Sequence, residues 1–272
     1  MNSTEEKITA LTKQIKGLES VAVAFSGGVD STLLLYICNK ILGANTLAII
    51  ANSPSFPRRE LNDALSFCNN NGIRYTVCDF DQMAVPGFAQ NTKDRCYVCK
   101  RALFGKIKEI AYQNGISNIA EGSNLDDTND YRPGMAAIKE LGIISPLLQA
   151  KMTKQDIRQL SREYGLPTWQ KPSLACLSTR IEYGRTITAE KLAVIEKSEQ
   201  LLAELGALQC RVRMHGAIAR IEVDPMQFKL VTDNAEKISS YLKSLGFSHV
   251  SLDLAGYKTG SMNTDILYPI DG

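Results

Sequence analysis

A short segment near the start of the chain, residues 21–36, constrains the fold more than any other part of the sequence. Val21–Phe25 is an apolar run of the kind that forms a buried strand, and a helical pattern begins near Ser31. The sequence SGGVDS at residues 26–31 joins the two. Its glycines let the backbone fold closely around an anion, and the N–H groups at the helix start supply positive potential. The segment therefore predicts a strand, an anion-binding turn and a helix.

This turn differs from the Walker A loop because it contains no lysine for the β- and γ-phosphates. A loop without that lysine is better suited to hold the pyrophosphate that leaves when ATP is cleaved between its α- and β-phosphates. The pattern SGGxDS resembles the signature of the PP-loop ATP pyrophosphatases. A glycine-rich turn with no ligand is the alternative. The predicted nucleotide-binding residues of the loop are Ser26, Gly27, Gly28, Asp30 and Ser31, and Asp30 is also a catalytic candidate.

Strand and helix patterns alternate along the chain as far as residue 183. This alternation predicts an α/β protein with a doubly wound parallel sheet, whose ligands bind at the carboxyl ends of the strands. Beyond that point a helix and a hairpin pattern indicate a smaller α+β unit. We therefore expect two domains, residues 1–183 and 184–272. The predicted strands of the first are residues 21–25, 47–52, 74–80, 116–121 and 143–144.

A second candidate nucleotide segment, residues 121–134, follows the fourth predicted strand. Gly122 would let the backbone approach the adenosine or the α-phosphate, and Arg132 could neutralise a carboxylate or a phosphate. Acidic side chains suit Mg²⁺, which prefers oxygen ligands. A polar turn with an Asx-rich helix cap is the alternative. The candidate Mg²⁺ ligands are Asp30, Asp126 and Asp130, with Asp127 beside them.

Seven cysteines form an odd set in a chain whose first residues have no signal-peptide pattern. We therefore expect a cytoplasmic protein without a disulfide framework, and consider clustered cysteines as ligands or redox groups. Cys96 and Cys99 form a C-x-x-C motif at a predicted helix start, and Cys176 lies far along the chain. The trio suits three corners of a [4Fe-4S] cluster, but a zinc site, a redox pair and unreactive thiols remain open. We expect core positions for Cys38, Cys68, Cys78 and Cys210.

Arginines alternate along a predicted strand of the second domain. Arg211, Arg213 and His215 share one strand face, and Arg220 and Glu222 are expected across the hairpin. Paired guanidinium groups bind phosphate oxygens in bidentate fashion. The alternative is an ordinary solvated strand face. Arg180, close to Cys176 in sequence, is a further phosphate candidate.

Taken together, these motifs resemble the LarE family of ATP-dependent sulfur transferases over nearly the whole chain. The resemblance implies adenylation of the carboxylates of pyridinium-3,5-biscarboxylic acid mononucleotide and their conversion to thiocarboxylates for a nickel-pincer cofactor. Members with one cysteine at the position of Cys176 give up its sulfur, whereas three-cysteine members hold a [4Fe-4S] cluster that carries a sulfide. Cys96 and Cys99 make this chain similar to the latter. The motifs are SGGVDS, DRCYVCK, EGSNLDDTNDYRPG, KPSLACLSTR and RVRMHGAIARIE.

The charge, the hydropathy and the family resemblance together indicate which ligands and partners to expect. A net charge of +2 gives no bulk signature of nucleic-acid binding, and no apolar run approaches the length of a membrane span. We expect ATP, Mg²⁺ and a small pyridinium mononucleotide as ligands, a homo-oligomer (trimer or hexamer) and a sulfur-supplying system. Three other functions remain open: a tRNA thiolase, an amide-forming synthetase that uses ammonia, and a nucleotide-sensing binding protein.

Overall fold

A computed structural model describes residues 3–129, 134–173 and 175–258. The chain divides into two compact units, one of Met1–Phe88 with Lys93–Leu174 and one of Ala89–Thr92 with Ala175–Gly272. The boundary therefore falls before the predicted position at residue 183. Across the described ranges, none of the helices is both long and apolar enough to cross a membrane.

Residues just after position 175 belong to the second unit because their contacts lie there. Arg180 binds Glu199, and Arg213 donates a hydrogen bond to the Thr179 carbonyl at 2.7 Å. Ile181 also forms a parallel bridge with Met214. The candidate residues Cys176 and Arg180, which the sequence placed in the first domain, are thus parts of the second unit.

The first unit is built on a parallel four-stranded sheet in the order β3-β2-β1-β4. This confirms the predicted α/β class and parallel sheet. The fourth strand is shorter than predicted, and Ile144 contributes only an isolated bridge to Ala120 in place of a fifth strand. The strands are β1 (Val21–Ala24), β2 (Thr46–Asn52), β3 (Arg74–Asp79) and β4 (Ile119–Ala120).

Both faces of this sheet are covered by helices, as the continuous apolar sequence of its central strands requires. Val21 and Val23 belong to one hydrophobic cluster, together with Leu33 and Ile157, whereas Ala22 belongs to another. Alternate residues of one strand therefore support two separate cores. The helices are α1 (Thr4–Lys16), α2 (Val29–Leu42), α3 (Arg58–Asn70), α4 (Arg95–Gln113), α5 (Gly134–Glu140), α6 (Pro146–Gln149) and α7 (Lys154–Glu163).

The second unit contains the predicted hairpin within a three-stranded sheet, in the order β5-β6-β7. The hairpin strands are antiparallel and turn at Gly216, whose φ of 59° is a conformation that glycine adopts without strain. β7 pairs with β6 in parallel. The strands are β5 (Cys210–His215), β6 (Ile218–Val223) and β7 (His249–Leu252), and the helices are α8 (Ala189–Glu204), α9 (Phe228–Asp233) and α10 (Ala235–Ser244).

Candidate active site

The SGGVDS loop lies between β1 and α2, where the carboxyl edge of the parallel sheet begins. Gly27 has a φ of 68°, the left-handed conformation that a non-glycine residue rarely adopts. The hydroxyl groups of Ser26 and Ser31 lie 3.1 Å apart, and the Ser31 hydroxyl also donates to the Gly28 carbonyl at 3.2 Å. These contacts close the loop into a compact turn.

Gly28 is the N-cap residue of α2 and makes no side-chain cap hydrogen bond. Most helices of this length start with a Ser, Thr, Asp or Asn whose side chain satisfies the first N–H groups. Here no N-cap side chain competes with an anion for those donors. The start of α2 therefore has the features of a phosphate-binding helix terminus.

Gly122, just after β4, approaches the same helix start. A Cβ atom at this position would lie 3.0 Å from the Ser31 backbone nitrogen and 3.2 Å from its Cα. Contacts this short to backbone atoms cannot be relieved by rotating a side chain, so any larger residue here would require the start of α2 to shift by a few tenths of an ångström. The structure thus brings Gly122 to the loop, while its predicted contact with a nucleotide stays a prediction.

Asp30, in the first turn of α2, is held by two side chains that the sequence did not single out. Lys154 Nζ forms an ion pair with Asp30 Oδ2. Asn124 Nδ2 donates to Asp30 Oδ1 at 3.2 Å, and Asn124 is completely buried. Because Lys154 and Asp30 are 124 residues apart, no local pattern could have indicated their pairing.

The acids after β4 mainly stabilise the turn that carries Asn124. Asp127 Oδ2 accepts from the Asn124 backbone N–H at 3.0 Å, and Asp126 Oδ2 accepts from the Lys154 N–H at 2.8 Å. Asp130 and Arg132 lie outside the described residues. Within the part of the chain that the structure describes, no group of three or more His, Cys, Asp or Glu side chains is arranged to hold a metal ion. Magnesium binding by these acids stays a prediction.

Cys96 and Cys99 occupy the first turns of α4 in the first unit, and both side chains are partly exposed. Gln82 Nε2 lies 3.1 Å from the Cys99 sulfur. The turn is also tied to α5, because the Tyr97 hydroxyl donates to Glu140 at 2.7 Å. The Glu140 carboxylate raises the pKa of Tyr97, which keeps this donor protonated.

Three other cysteines of the first unit are buried in its cores, as the sequence predicts. Burial raises the pKa of Cys38 and of Cys68 to about 12, and it also raises the pKa of Cys78. Such thiols stay protonated near neutral pH and are poor nucleophiles and metal ligands. Cys210, in the second unit, is half-buried and directs its thiol to the Glu199 carbonyl at 3.7 Å.

Cys176 is exposed and immediately precedes the 3-10 helix Leu177–Arg180 of the second unit. Arg180 Nη1 donates to the Ala175 and Cys176 carbonyls at 2.8 and 3.0 Å. Its other nitrogens bind both oxygens of Glu199. The Arg180 guanidinium therefore holds the backbone that presents the Cys176 thiol.

The electrostatics of Arg180 follow from these contacts. Burial opposes its charge, but Glu199 outweighs burial and raises the pKa of Arg180 above its ordinary value. A guanidinium with this many protein partners is well suited to a structural role. Phosphate binding by Arg180 stays a prediction.

The predicted arrangement of the hairpin side chains is confirmed. Arg211 lies opposite Glu222, and Arg213 lies opposite Arg220, so the four share one face of the sheet. Arg213 forms a bidentate pair with the buried Glu222 at 3.0 Å, and Arg220 contacts the same carboxylate at 3.0 Å. Glu222 therefore pairs with two cations, and Asp253 supplies a second negative charge 3.5 Å from Arg220.

Arg211 has a different environment from Arg213. Its guanidinium lies 5.1 Å from the centre of the Tyr257 ring, and Nη1 donates to the Cys210 carbonyl at 2.7 Å. Burial, and secondarily the charge of Arg180, lower the pKa of Arg211. An anion bound beside it would relieve this cost of holding a buried positive charge.

Comparison with known proteins agrees with this arrangement. The NAD synthase family profile matches residues 2–111. The chain is 36% identical to the pyridinium-3,5-bisthiocarboxylic acid mononucleotide synthase of Lactiplantibacillus plantarum, over 97% of this chain and 96% of that protein. It is 39% identical to an uncharacterized protein of Synechocystis sp., over 95% and 97% of the two chains. An uncharacterized protein of Methanocaldococcus jannaschii is 30% identical, over 89% and 92%.

The first two of these similarities cover nearly the whole chain, so they extend over both units. The loop, the sheet that carries it and the full-length similarity to a named synthase agree with one another. The chain therefore belongs to the LarE family of PP-loop enzymes, the family of pyridinium-3,5-bisthiocarboxylic acid mononucleotide synthase.

Proposed function

We propose that this protein is an ATP-dependent sulfurtransferase that converts the carboxylates of pyridinium-3,5-biscarboxylic acid mononucleotide to thiocarboxylates. Two observations carry the proposal. The N-cap residue of α2 is Gly28, which has no side chain to cap the helix and lies beside the Ser26–Ser31 pair. The chain is also similar over 97% of its length to a synthase of the bisthiocarboxylate. A pyrophosphate group fits such a helix start because it accepts hydrogen bonds from uncapped N–H groups.

The first step is adenylation of the substrate. A carboxylate oxygen attacks the α-phosphorus of ATP, the bond to the oxygen that bridges to the β-phosphate breaks, and pyrophosphate leaves. The N–H groups at the start of α2 and the Ser26 and Ser31 hydroxyls stabilise the charge that develops on pyrophosphate. Gly122 keeps the segment after β4 close to the loop, and Asp30 with Asp126 is the proposed Mg²⁺-binding acid pair.

The second step exchanges AMP for sulfur. A sulfur nucleophile attacks the carbonyl carbon of the acyl-adenylate, the carbon–oxygen bond to AMP breaks, and the thiocarboxylate forms. A thiol is a better nucleophile than a hydroxyl group at neutral pH, because a larger fraction of it is ionised. AMP is released with both electrons of the broken bond.

The thiols proposed for sulfur delivery are Cys96, Cys99 and Cys176. All three are accessible, whereas Cys38 and Cys68 are buried with their pKa raised to about 12. Accessible thiols beside the start of a helix fit an iron–sulfur group, which thiolates hold. A [4Fe-4S] cluster on this trio would supply the sulfur atom. Direct donation from Cys176 is the alternative.

The mononucleotide phosphate is proposed to bind at the hairpin. Arg211 is the strongest candidate because burial and Arg180 lower its pKa, and an anion would relieve both effects. Arg213 lies on the same strand face and is the second candidate, although its charge is offset by its pair with Glu222. We also propose a cytoplasmic homo-oligomer (trimer or hexamer) that is served by a sulfur-supplying system.

The test is an assay of ATP-dependent pyrophosphate release on addition of the mononucleotide, with mass spectrometry of the product. We expect pyrophosphate release only with substrate, and a product in which one oxygen of each converted carboxylate is replaced by sulfur. Pyrophosphate release without incorporation of sulfur would contradict the proposal and support an amide-forming or purely adenylating enzyme.

The sulfur source is tested by anaerobic purification with iron and sulfide analysis. Serine variants at Cys96, Cys99 and Cys176 are expected to abolish sulfur transfer but not adenylation, and Cys210→Ser is the matched control. A colourless, iron-free and fully active protein would exclude the cluster. Loss of H₂S from Cys176 during turnover would establish direct donation.

A further inference from the structure

One thiol of the C-x-x-C motif receives a hydrogen bond from a buried amide that the sequence did not single out. Gln82 lies in the segment after β3, and its Nε2 donates to the Cys99 sulfur at 3.1 Å. Gln82 is only 4% exposed, whereas Cys99 is partly exposed and packs against the hydrophobic cluster that contains Ala22. The Cys99 thiol is therefore partly open to solvent and is also held by a buried donor.

The orientation of the Gln82 amide is fixed by Ser55, which follows β2 at the carboxyl edge of the sheet. Gln82 Oε1 accepts two hydrogen bonds from this residue, one from its backbone N–H at 3.3 Å and one from its hydroxyl at 2.5 Å. A backbone N–H can only donate, so the atom that faces it is the amide oxygen. The amide nitrogen consequently faces the Cys99 sulfur, and Ser55, itself 3% exposed, holds it there.

The other thiol of the motif also lies next to a buried donor. Nη2 of Arg95 is 3.7 Å from the Cys96 sulfur, and Arg95 is 1% exposed. Hydrogen bonds and positive charge favour an electron-rich sulfur, both in a free thiolate and in a thiolate that binds iron. The donors around the C-x-x-C motif therefore fit an iron–sulfur group.

We propose that Gln82 is a positioning residue for sulfur transfer, which fixes the Cys99 side chain and stabilises negative charge on its sulfur. Hydrogen bonds to the sulfurs of an iron–sulfur group raise its reduction potential, so the Gln82 N–H should favour the reduced form. Gln82 acts through Cys99 and takes part in no bond that forms or breaks. This inference rests on the proposed function and adds a supporting residue to it. A purely structural amide is the competing interpretation, and its removal would leave the potential unchanged.

The first test is a redox titration of the iron-loaded full chain, purified anaerobically. We expect Gln82→Met to lower the ratio of reduced to oxidised cluster about tenfold at a fixed solution potential, which is a shift of about 59 mV for one electron. Gln82→Glu keeps an oxygen for Ser55 but replaces the N–H donor by a negative charge, so its effect should be larger. Gln113→Met, at the exposed end of α4, is the matched control and should behave like the wild type.

A milder variant keeps the test decisive if both Gln82 variants fail to fold. Ser55→Ala removes the hydroxyl that orients the amide but keeps the Gln82 N–H group. We expect it to lower the same ratio by about threefold, and an unchanged ratio would contradict a role for the Ser55 hydroxyl in orienting the donor.

The second test needs no iron. NMR of the reduced, iron-free chain observes the side-chain amide protons of Gln82, whose resonances depend on the group that accepts their hydrogen bond. We expect these resonances to shift in Cys99→Ala and to stay in place in Cys210→Ala, the matched control.

Two results would overturn the inference: equal potentials of the wild type, Gln82→Met and Gln82→Glu, or unchanged Gln82 resonances in Cys99→Ala. A chain that holds no iron would refute only the cluster of the proposed function, and the NMR measurement would then decide the role of Gln82. A lowered potential in variants of a protein that forms no thiocarboxylate would support the role of Gln82 and refute the sulfur transfer.

Discussion

The SGGVDS loop of the first unit and the arginine hairpin of the second differ in how their charged groups are paired. At the loop, the helix start is uncapped and the Asp30–Lys154 pair is partly exposed. At the hairpin, Glu222 is almost completely buried and pairs with Arg213 and Arg220, and Asp253 supplies a second negative charge beside Arg220. The loop thus leaves its N–H donors and one ion pair accessible, whereas most of the hairpin charge is paired within the second unit.

The two regions also differ in what a substitution should damage. Ser26 is exposed and the Asp30–Lys154 pair is partly exposed, so changes at these side chains should affect binding and rate more than stability. Removal of a buried carboxylate from the hairpin leaves cations without their partner, which is costly in a low-dielectric interior. Three variants test this difference.

The largest effect on stability is expected at Glu222→Gln. The substitution keeps the shape of the side chain but leaves Arg213 without its bidentate carboxylate, so we expect a loss of about 3–5 kcal/mol in the free energy of unfolding. Urea unfolding at pH 7 measures it. The control is Glu236→Gln on the exposed surface of α10. A loss below about 1 kcal/mol would mean that the hairpin charges are solvated, like those of the loop.

A large effect on rate with a smaller effect on stability is expected for Gly122→Ala. The added Cβ would lie 3.0 Å from the Ser31 backbone nitrogen and must displace the start of α2. We expect about a 100-fold lower rate of pyrophosphate release and a destabilisation of about 1–3 kcal/mol.

Gly105→Ala is the matched control for that variant. Gly105 lies inside α4, and an added Cβ there meets no atom within 4 Å. We expect unchanged activity and a gain of about 0.5–1 kcal/mol in stability, because alanine favours a helix over glycine. Equal rates of pyrophosphate release in the two variants would show that the close approach of Gly122 to Ser31 is not needed for activity.

The smallest effect is expected for Asp156→Asn, which tests the support of Lys154. Burial opposes ionisation of Asp156, but hydrogen bonds from Lys7, Thr153 and Thr4 outweigh it and hold its pKa well below the ordinary value. We expect a loss of about 1–3 kcal/mol in stability at pH 7.

The pH dependence of that loss has a definite sign. A depressed pKa contributes stability that is fully present above the unfolded-state pKa, about 4, and is lost as the pH falls toward the folded-state value. The difference between the wild type and Asp156→Asn should therefore stay constant from pH 7 to about 5 and shrink below about 4. Urea unfolding at several pH values measures it, and a difference that grows on acidification would contradict the assignment.

Much of the fold could be predicted because its signals are local. The hairpin around Gly216 and the loop after β1 both appeared where short patterns indicated. The fourth strand, predicted over residues 116–121, is only Ile119–Ala120, since its pairing with β1 involves only Ala22 and Val23. Strand length here depends on a partner, which an apolar run does not reveal.

The candidate site was predictable only in part for the same reason. Residues of the loop are contiguous, and glycine and serine at fixed spacing describe a backbone shape. The arginines and their acidic partners are far apart in sequence. Arg180, in the 3-10 helix, pairs with Glu199 of α8, and Arg213 of β5 pairs with Glu222 of β6. The position of the unit boundary before residue 175 likewise depends on those long-range contacts.

The sequence by itself determined the glycine-rich turn between a strand and a helix, the parallel α/β class and the buried character of Cys38, Cys68 and Cys78, since each depends on neighbouring residues or on apolar periodicity. Only the tertiary structure decided which charges meet: Lys154 with Asp30, Arg180 with Glu199, and Arg213 with Glu222. Electrostatic pairing depends on distance in space, and residues 124 positions apart in the chain carry no local sign that they will lie within hydrogen-bond reach.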